Sequence, residues 1–341
     1  MVAHDACHCI PAAAGSLTSN SAESAMRVVG ADEISRLLTY DALIEALAQS
    51  FRGGITAPLR HHHTIDPGGA DATLLLMPAW TAGEDAFLGC KIVTVFPHNA
   101  ASGQPSVHGT YLLMSGRTGE PLAAMDGRTL TAWRTAAASA LAARYLARSD
   151  ASHLLMVGAG ALAPHLVRAH ASVRPIKRVT LWNRTHGRAV SLAFGLSVIG
   201  IKADVTEDLE GAVREADIIS CATLSSQPLI KGAWLKRGVH LDLVGGFTPT
   251  MREADDRAVE RARIYVDTRE GALKEAGDLV IPLKRRMIKK GDVAGDLFDL
   301  CRGHAQGRRR KDEITLFKSV GAAIEDLAAA MLVWRKLTAR G

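Results

Sequence analysis

Two hydrophobic patterns follow each other along the chain, and the first covers residues 26–127. It begins with two helical stretches, 31–38 and 41–51, in which apolar residues recur on one stripe and Asp41 is placed to cap the second helix. Alternating apolar and polar residues then predict strands at 60–65, 73–78, 86–96, 109–114 and 122–125. Because short loops join these strands, we expect a mostly antiparallel sheet.

The second pattern begins after Gly127 with an alanine-rich helix and continues as strands that alternate with helices. The strands are short and apolar, at 154–157, 179–182, 203–205, 218–221, 240–244 and 264–266. Such alternation is typical of a parallel, doubly wound sheet. A final helix is predicted over 315–336, with apolar positions that return to the first region.

These patterns predict an α/β protein with an inserted domain. A Rossmann-type domain, 128–311, is expected to be inserted into an α+β domain that comprises 26–127 and 312–341. Residues 1–25 are rich in Ala and Ser without periodicity, and we expect a disordered or loosely attached tail there.

Composition narrows the class of protein without identifying a function. Of the 341 residues, 48% are apolar, which allows a large core, and no apolar run is long enough for a membrane span. The net charge is +6, but Lys and Arg are spread along the chain, so neither nucleic acid nor membrane is an expected partner. Five cysteines and no leader-like start favour a cytoplasmic protein without a disulfide framework.

Three consecutive histidines, His61, His62 and His63, raise the question of a metal site. They lack a further ligand at a suitable spacing, and we expect no metal.

A glycine-rich segment joins the first strand of the second pattern to its helix. Gly158, Ala159, Gly160 and Ala161 begin a match to G-x-G-x-x-G/A that ends at Ala163. In such a loop the first glycine makes the tight turn, and the second lets a pyrophosphate approach the backbone. The alternative is that small residues only permit a tight turn between strand and helix.

The end of the next strand indicates which dinucleotide would bind. Asn183, Arg184 and Thr185 follow it, about twenty residues beyond the glycines, where NAD enzymes usually place an acidic residue on the ribose. A guanidinium suits a 2′-phosphate, which a carboxylate would repel. We therefore predict NADP(H), with NAD(H) as the second choice, and a merely solvated Arg184 as the alternative.

Three cations in the first region and the long helix stand in apolar or small surroundings: Arg60, Lys91 and Arg134. The sequence offers no obvious neighbouring acid for any of them, and an unpaired buried charge costs several kcal/mol. If the three side chains converge on a cleft, an anionic substrate would pair with their charges. An arginine can bind a carboxylate through two N–H groups. Taken singly, a cation in such surroundings is more often structural than functional.

Four segments carry a resemblance to a known family: KIVTVFPHN, DGRTLTAWRTAAASALAARYLA, VGAGALA and EITLFKSVGAAIEDLAAA. Through them the chain resembles the ornithine cyclodeaminase and mu-crystallin family over about residues 31–336. The resemblance implies the fold described above, in which the first domain binds substrate and forms a homodimer. It implies that Arg60, Lys91 and Arg134 bind the substrate and that Val320 lies in the pocket near the nicotinamide. Further positions are implied to contact the dinucleotide: Ser106, Thr223 and Ser319.

One position departs from the ornithine cyclodeaminases. Those enzymes carry an aspartate after two small residues that follow the fifth Rossmann strand, whereas this chain reads LVGGFTPTMREAD, with Phe247 in that place. Because a phenyl ring cannot transfer a proton, loss of ammonia from an amine should be crippled. Phe247 would instead pack against an apolar heterocycle, or only form part of the pocket wall.

The resemblance therefore implies the ketimine-reductase branch. The expected reaction is reduction of Δ1-pyrroline-2-carboxylate to L-proline, and also of Δ1-piperideine-2-carboxylate to L-pipecolate, with Arg60 and Arg134 holding the carboxylate. Lys91 is the candidate for protonating the imine nitrogen, a task that an ordered water could also perform. Three alternatives stay open: an amino-acid dehydrogenase acting on pyruvate and ammonia, ornithine cyclodeaminase itself, and a non-catalytic, NADPH-dependent ligand-binding protein.

Overall fold

The computed structural model describes residues 26–68 and 71–339, so the predicted tail, 1–25, lies outside the described residues. The first half forms a seven-stranded sheet with strand order β1-β7-β6-β5-β4-β2, in which β3 also pairs with β4. Its strands are β1 (Arg27–Val29), β2 (Ile55–Thr56), β3 (His61–Ile65), β4 (Ala72–Thr81), β5 (Phe87–Val95), β6 (Val107–Ser115) and β7 (Pro121–Asp126). Of these pairings only β1 with β7 is parallel, so the predicted mostly antiparallel sheet is confirmed.

Two helices lie between β1 and β2 along the chain, α1 (Ala31–Leu37) and α2 (Tyr40–Arg52), and a 3₁₀ turn at Pro97–Ser102 follows β5. The predicted capping role of Asp41 is wrong. The N-cap of α2 is Thr39, and Asp41 lies in the first helical turn. A carboxylate still stabilises the helix there, because the exposed N–H groups of the first turn carry partial positive charge.

A long helix, α3 (Gly127–Leu146), connects the two halves of the molecule. Asp126 caps it by accepting a hydrogen bond from the Thr129 N–H at 2.7 Å. Seven of its twenty residues are alanines, six of them buried, so α2 and the sheet approach it closely. At Gly127 the approach is tightest, since an added Cβ would lie 2.6 Å from the backbone of Gly109 in β6.

The second half is an eight-stranded sheet with every pairing parallel, in the order β10-β9-β8-β11-β12-β15-β13-β14. The strands are β8 (His153–Val157), β9 (Arg178–Trp182), β10 (Asp204–Val205), β11 (Ile218–Cys221), β12 (His240–Leu243), β13 (Arg263–Val266), β14 (Val293–Asp296) and β15 (Thr315–Lys318). The helices around it are α4 (Ala163–Val173), α5 (His186–Val198), α6 (Leu209–Glu215), α7 (Asp256–Arg261), α8 (Arg269–Glu275), α9 (Gly277–Lys284) and α10 (Leu297–Arg302), with 3₁₀ turns at Gly232–Trp234 and Lys290–Asp292. The predicted parallel, doubly wound sheet is confirmed.

The C-terminal segment corrects one prediction. Residues 315–336 are not one helix: β15 comes first, and only α11 (Ala323–Thr338) is helical. The four residues of β15 are fully buried, and Gly321 then turns the chain with a φ of 80°. Because β15 lies inside the parallel sheet between β12 and β13, assigning the whole of 312–341 to the first domain is wrong for this strand. Helix α11 does return to pack on α2, α3 and the first sheet.

Candidate active site

The carboxyl ends of four adjacent parallel strands define one edge of the second sheet. In register, Val157 of β8 lies beside Cys221 of β11, which lies beside Leu243 of β12, and Leu243 lies beside Lys318 of β15. The loops that follow these strands therefore start side by side. The chain order reverses between β8 and β11, which is where open parallel sheets bind ligands.

The three cations of the sequence analysis meet at this edge. Lys91 points from β5 to the buried side of the first sheet, and Arg134 reaches it from α3. Arg60, just before β3, donates from Nη2 to the carbonyl oxygens of Val320, at 3.2 Å, and Gly321. Gly321 also contacts Arg134, since an added Cβ would overlap Nη1 of that guanidinium. The predicted convergence of the three side chains is thus present in the structure.

The expectation that these cations lack acidic neighbours is wrong. Asp326 accepts hydrogen bonds from Lys91 Nζ and from Arg134 Nε, both at 2.9 Å, and Glu325 accepts from Arg134 Nη1 at 2.7 Å. Both acids are fully buried at the start of α11. Arg60 Nη2 lies 3.4 Å from Glu275 in α8. The signal for the buried pair was the Glu-Asp dipeptide inside the otherwise apolar AAIEDLAAA, because such acids need buried partners.

Burial and neighbouring charges shift the pKa values of this cluster. The pKa of Lys91 is lowered to about 8, mainly by burial and then by Arg134, while Asp326 acts in the opposite direction. Burial acts to raise the pKa of Asp326, but Arg134 and Lys91 outweigh it and hold that pKa below its ordinary value. Burial raises the pKa of Glu325 to about 7 despite Arg134. Lys91 can therefore exchange a proton near neutral pH.

A buried aspartate that sequence reasoning missed shapes the loop after β15. Asp267 Oδ2 accepts from the backbone N–H groups of Val320 and Gly321, both at 2.7 Å, and Oδ1 accepts from that of Thr268. Burial raises the pKa of Asp267, while these backbone hydrogen bonds act to lower it. The predicted pocket residue Val320 is thereby held with its carbonyl towards Arg60.

The glycine loop fits a dinucleotide on three observations. Gly158 has a φ of 105°, and an added Cβ would lie 2.6 Å from the carbonyl oxygen of Ala222, so only glycine fits the turn. At Gly160 an added Cβ would meet nothing within 4 Å, which leaves the backbone open to a phosphate. Beyond Ala161, helix α4 begins without a side-chain cap, so the partial positive charge of its N-terminus faces the same space.

The loop after β9 lies beside the glycine loop. Asn183 Oδ1 accepts from the Ala159 N–H at 3.2 Å, and its Nδ2 donates to the Thr185 carbonyl at 2.8 Å. Arg184 is exposed, and within residues 26–68 and 71–339 its side chain makes neither a hydrogen bond nor an ion pair.

The loops after β11 and β12 are joined through a second missed acid. Glu253 is fully buried and accepts from the N–H and Oγ1 of Thr223 and, at 2.8 Å, from the Gly245 N–H. Burial raises the pKa of Glu253 to about 7, against the nearby Lys318. Thr223 also packs on the glycine loop, since a Cβ added at Gly158 would lie 3.1 Å from the Thr223 Cγ2.

Phe247 lies two residues beyond Gly245 and is 48% exposed. Its ring is thus not enclosed by the described residues, and it offers apolar surface to a ligand. Of the two remaining predicted cofactor residues, Ser319 is buried directly after β15 and donates its N–H to the Leu243 carbonyl. Ser106 precedes β6 in the first domain, and its Oγ lies 3.5 Å from the Pro97 carbonyl.

A cavity of about 280 Å³ opens beside Arg60. It lies between the segment that precedes β3, helix α8 and the start of α11, with Glu275 and Gly321 in its wall.

In the part of the chain that the structure describes, no three His, Cys, Asp or Glu side chains are grouped as metal ligands. No helix among the described residues is long and apolar enough to cross a membrane.

Comparison with known proteins gives a consistent family assignment. The profile of the ornithine cyclodeaminase/mu-crystallin family matches residues 20–341. The Δ1-pyrroline-2-carboxylate reductase of Paracoccus denitrificans is 43% identical over 307 residues, which cover 89% of this chain and 94% of that protein.

Two solved structures resemble the whole chain. The Thermococcus litoralis Δ1-pyrroline-2-carboxylate reductase in complex with NADH and L-proline matches with a TM-score of 0.86 at 34% identity, covering 93% of this chain and 98% of that one. An archaeal alanine dehydrogenase dimer with bound NAD matches with a TM-score of 0.85 at 29% identity, covering 92% and 97%.

Proposed function

Because this chain belongs to the ornithine cyclodeaminase/mu-crystallin family, we propose that it reduces Δ1-pyrroline-2-carboxylate to L-proline with a reduced nicotinamide dinucleotide. The observation that carries the proposal is the convergence of Arg60, Lys91 and Arg134 at the carboxyl edge of the parallel sheet, the edge from which the glycine loop also starts. The relatives named as reductases of the same imine support the choice of substrate.

The substrate carboxylate would bind between the two arginines. Glu325 and Asp326 accept from Nη1 and Nε of Arg134, and backbone carbonyls accept from Nη2 of Arg60. Among the described residues, the remaining terminal nitrogens, Arg134 Nη2 and Arg60 Nη1, make no hydrogen bond and can bind a ligand. Arginine N–H groups match a carboxylate in geometry and charge. Binding there fixes the position of the imine carbon and so reduces the entropic part of the barrier.

The reaction adds a hydride to the imine carbon and a proton to the imine nitrogen. When bound, the reduced nicotinamide supplies the hydride. Lys91 would hold the proton at Nζ and donate it to the nitrogen, a transfer that its lowered pKa of about 8 eases at neutral pH. Asp326 and Thr131, whose Oγ1 lies 3.4 Å from Nζ, keep the ammonium in place between turnovers.

Phe247 favours reduction of a preformed ring over ring closure with loss of ammonia. Its half-exposed phenyl ring cannot accept or donate a proton, whereas it can pack on the apolar carbons of a cyclic imine. The other activities considered, ornithine cyclodeamination and reductive amination of pyruvate, need ammonia to leave or enter at this place.

For the cofactor we propose NADPH ahead of NADH. The support is Arg184, exposed and without a partner among the described residues, on the loop that Asn183 joins to the glycine loop. Arg188, in the first turn of α5, is also exposed. Two cations at this point suit a 2′-phosphate. The relatives of known structure were solved with NADH and NAD, so NADH is the competing cofactor in the test below.

We also propose that the active form is a homodimer joined through the first sheet. The face turned away from α3 carries the cross-strand pairs Leu76 with Ile92 and Pro78 with Cys90, and all four residues are only half-buried in the single chain. Apolar sheet faces of this kind are normally covered. We propose that a second copy covers this face; the archaeal alanine dehydrogenase of similar structure is a dimer. The free Cys90 and the reduced cofactor suit the cytoplasm, which is our proposed location.

The test is the oxidation of NADPH by the purified protein with Δ1-pyrroline-2-carboxylate, followed by chiral identification of L-proline. Parallel assays contain the six-membered Δ1-piperideine-2-carboxylate, pyruvate with ammonia, and ornithine with NAD, and each is repeated with NADH. We expect the highest kcat/KM with a cyclic imine and NADPH. Faster turnover of pyruvate with ammonia, or release of ammonia from ornithine, would replace the proposed activity, and binding without any turnover would indicate a ligand-binding protein.

A further inference from the structure

One carboxylate lies between two cations to which the proposed function gives different tasks. Asp326 Oδ1 accepts from Lys91 Nζ and Arg134 Nε, both at 2.9 Å, and Oδ2 lies 2.8 Å from Nζ. Asp326 has no exposed surface, and its helix, α11, packs against both α3 and β5, the elements that carry the two cations. The carboxylate therefore has no access to bulk water, and its position is fixed by the packing of three elements.

We propose that Asp326 is a positioning residue for the reduction: its carboxylate sets the separation of the Lys91 ammonium from the Arg134 guanidinium and retains the proton on Lys91 between turnovers. This inference rests on the proposed function, since it assigns the proton to Lys91 and the substrate carboxylate to Arg134. Without Asp326, two like charges would face each other in a buried site, and the lysine would lose its proton first.

The groups around Lys91 support this role. Arg134 on α3 and Arg60 before β3 both disfavour a charged lysine, as does burial, which is the largest effect. Tyr111 faces the cluster from β6 with a fully buried hydroxyl. Of these neighbours only Asp326 favours the ammonium, through its charge and its hydrogen bond.

Glu325 provides a matched control on the same helix. Its Oε2 accepts from Arg134 Nη1 at 2.7 Å, and among the described residues it makes no hydrogen bond or ion pair with Lys91. Substitution of Glu325 should therefore act on carboxylate binding through Arg134. Substitution of Asp326 should act mainly on proton transfer through Lys91.

The experiment measures kcat and KM from about pH 6 to 10 with saturating NADPH and Δ1-pyrroline-2-carboxylate. In the wild type kcat should fall on the alkaline side as Lys91 loses its proton. In Asp326→Asn we expect the midpoint to move down by at least about one pH unit, so that kcat at pH 8 falls about fivefold or more. Glu325→Gln should raise KM and keep the wild-type midpoint. An Asp326→Asn protein with the wild-type midpoint, or a Glu325→Gln protein with the same downward shift, would overturn the inference.

Asp326→Glu tests the positioning itself and serves if the asparagine variant does not fold. It keeps the charge but displaces it by one methylene, so the midpoint should stay within about half a unit while kcat falls about threefold or more. Full wild-type kcat would overturn the positioning role.

A readout without turnover separates this inference from the proposed function. Each protein is compared with its Lys91→Met counterpart, and the pH at which their difference in melting temperature changes reports the proton on Lys91. In the Asp326→Asn background, the pH at which this difference changes should be lower than in the wild type by about one unit or more. If the wild type turns over no imine, the proposed function fails, yet this shift still decides the role of Asp326: an unchanged pH overturns it.

Discussion

Lys91 couples the stability of the fold to pH. Its pKa falls from 10.5 to about 8, first because burial disfavours the ammonium and then because Arg134 lies beside it. In the unfolded chain the same lysine titrates near its ordinary value. Between pH 8 and 10.5 the unfolded state therefore binds more protons than the folded state, so stability rises with pH. From these two pKa values, the free energy of unfolding should gain about 2 kcal/mol between about pH 7.5 and 9.5.

The assay is urea unfolding of the wild type and of Lys91→Met at both pH values. Methionine has a similar volume and no charge, so the difference between the two proteins isolates the titration of Lys91 from that of other groups. The wild type should gain about 2 kcal/mol more than the variant on going to the higher pH. Lys177→Met, at an exposed lysine, is the matched control and should respond to pH as the wild type does. An identical pH response of the wild type and Lys91→Met would refute the reasoning.

Three further substitutions test other parts of the site. Gly158→Ala forces a Cβ to within 2.6 Å of the Ala222 carbonyl at a φ of 105°, so the dissociation constant for NADPH, measured by fluorescence titration, should rise about tenfold or more; a wild-type value would contradict the tight turn. Arg184→Ser should raise KM for NADPH about tenfold or more and leave KM for NADH within about twofold, whereas an equal effect on both would place the guanidinium away from the 2′-phosphate. Phe247→Ala should raise KM for Δ1-pyrroline-2-carboxylate about threefold or more, because apolar contact with the ring is lost; initial rates decide, and an unchanged KM would assign Phe247 to the wall only.

Most elements of both sheets can be predicted from the chain because their patterns are local. The alternation over 60–125 and the short apolar strands from 154 onwards appear in the structure close to their predicted positions. The pattern wrongly places Thr315–Lys318 in a helix, since four apolar and polar residues followed by a helical stretch do not distinguish the two states. Its place between β12 and β13 is a long-range pairing that no local pattern records.

Parts of the candidate site can likewise be predicted from local sequence, whereas others depend on long-range contacts. The glycine loop and the three cations are visible in the sequence because their residue types are unusual in their surroundings. Asp326 also stands out, as an acid in an apolar stretch, but its partners do not, because it is separated from Lys91 by 235 residues and from Arg134 by 192. Only the fold brings α11 against β5 and α3, and so converts an unexplained acid in an apolar helix into the partner of two catalytic candidates.

The central claim is that Arg60, Lys91 and Arg134 surround a small carboxylated ring beside the nicotinamide. A crystal structure of the protein with NADPH and L-proline tests it most directly. We predict the proline carboxylate within hydrogen-bond distance, about 3 Å, of both guanidinium groups and the ring nitrogen nearest to Lys91 Nζ. Proline bound elsewhere, or with its carboxylate turned away from Arg60 and Arg134, would contradict the account.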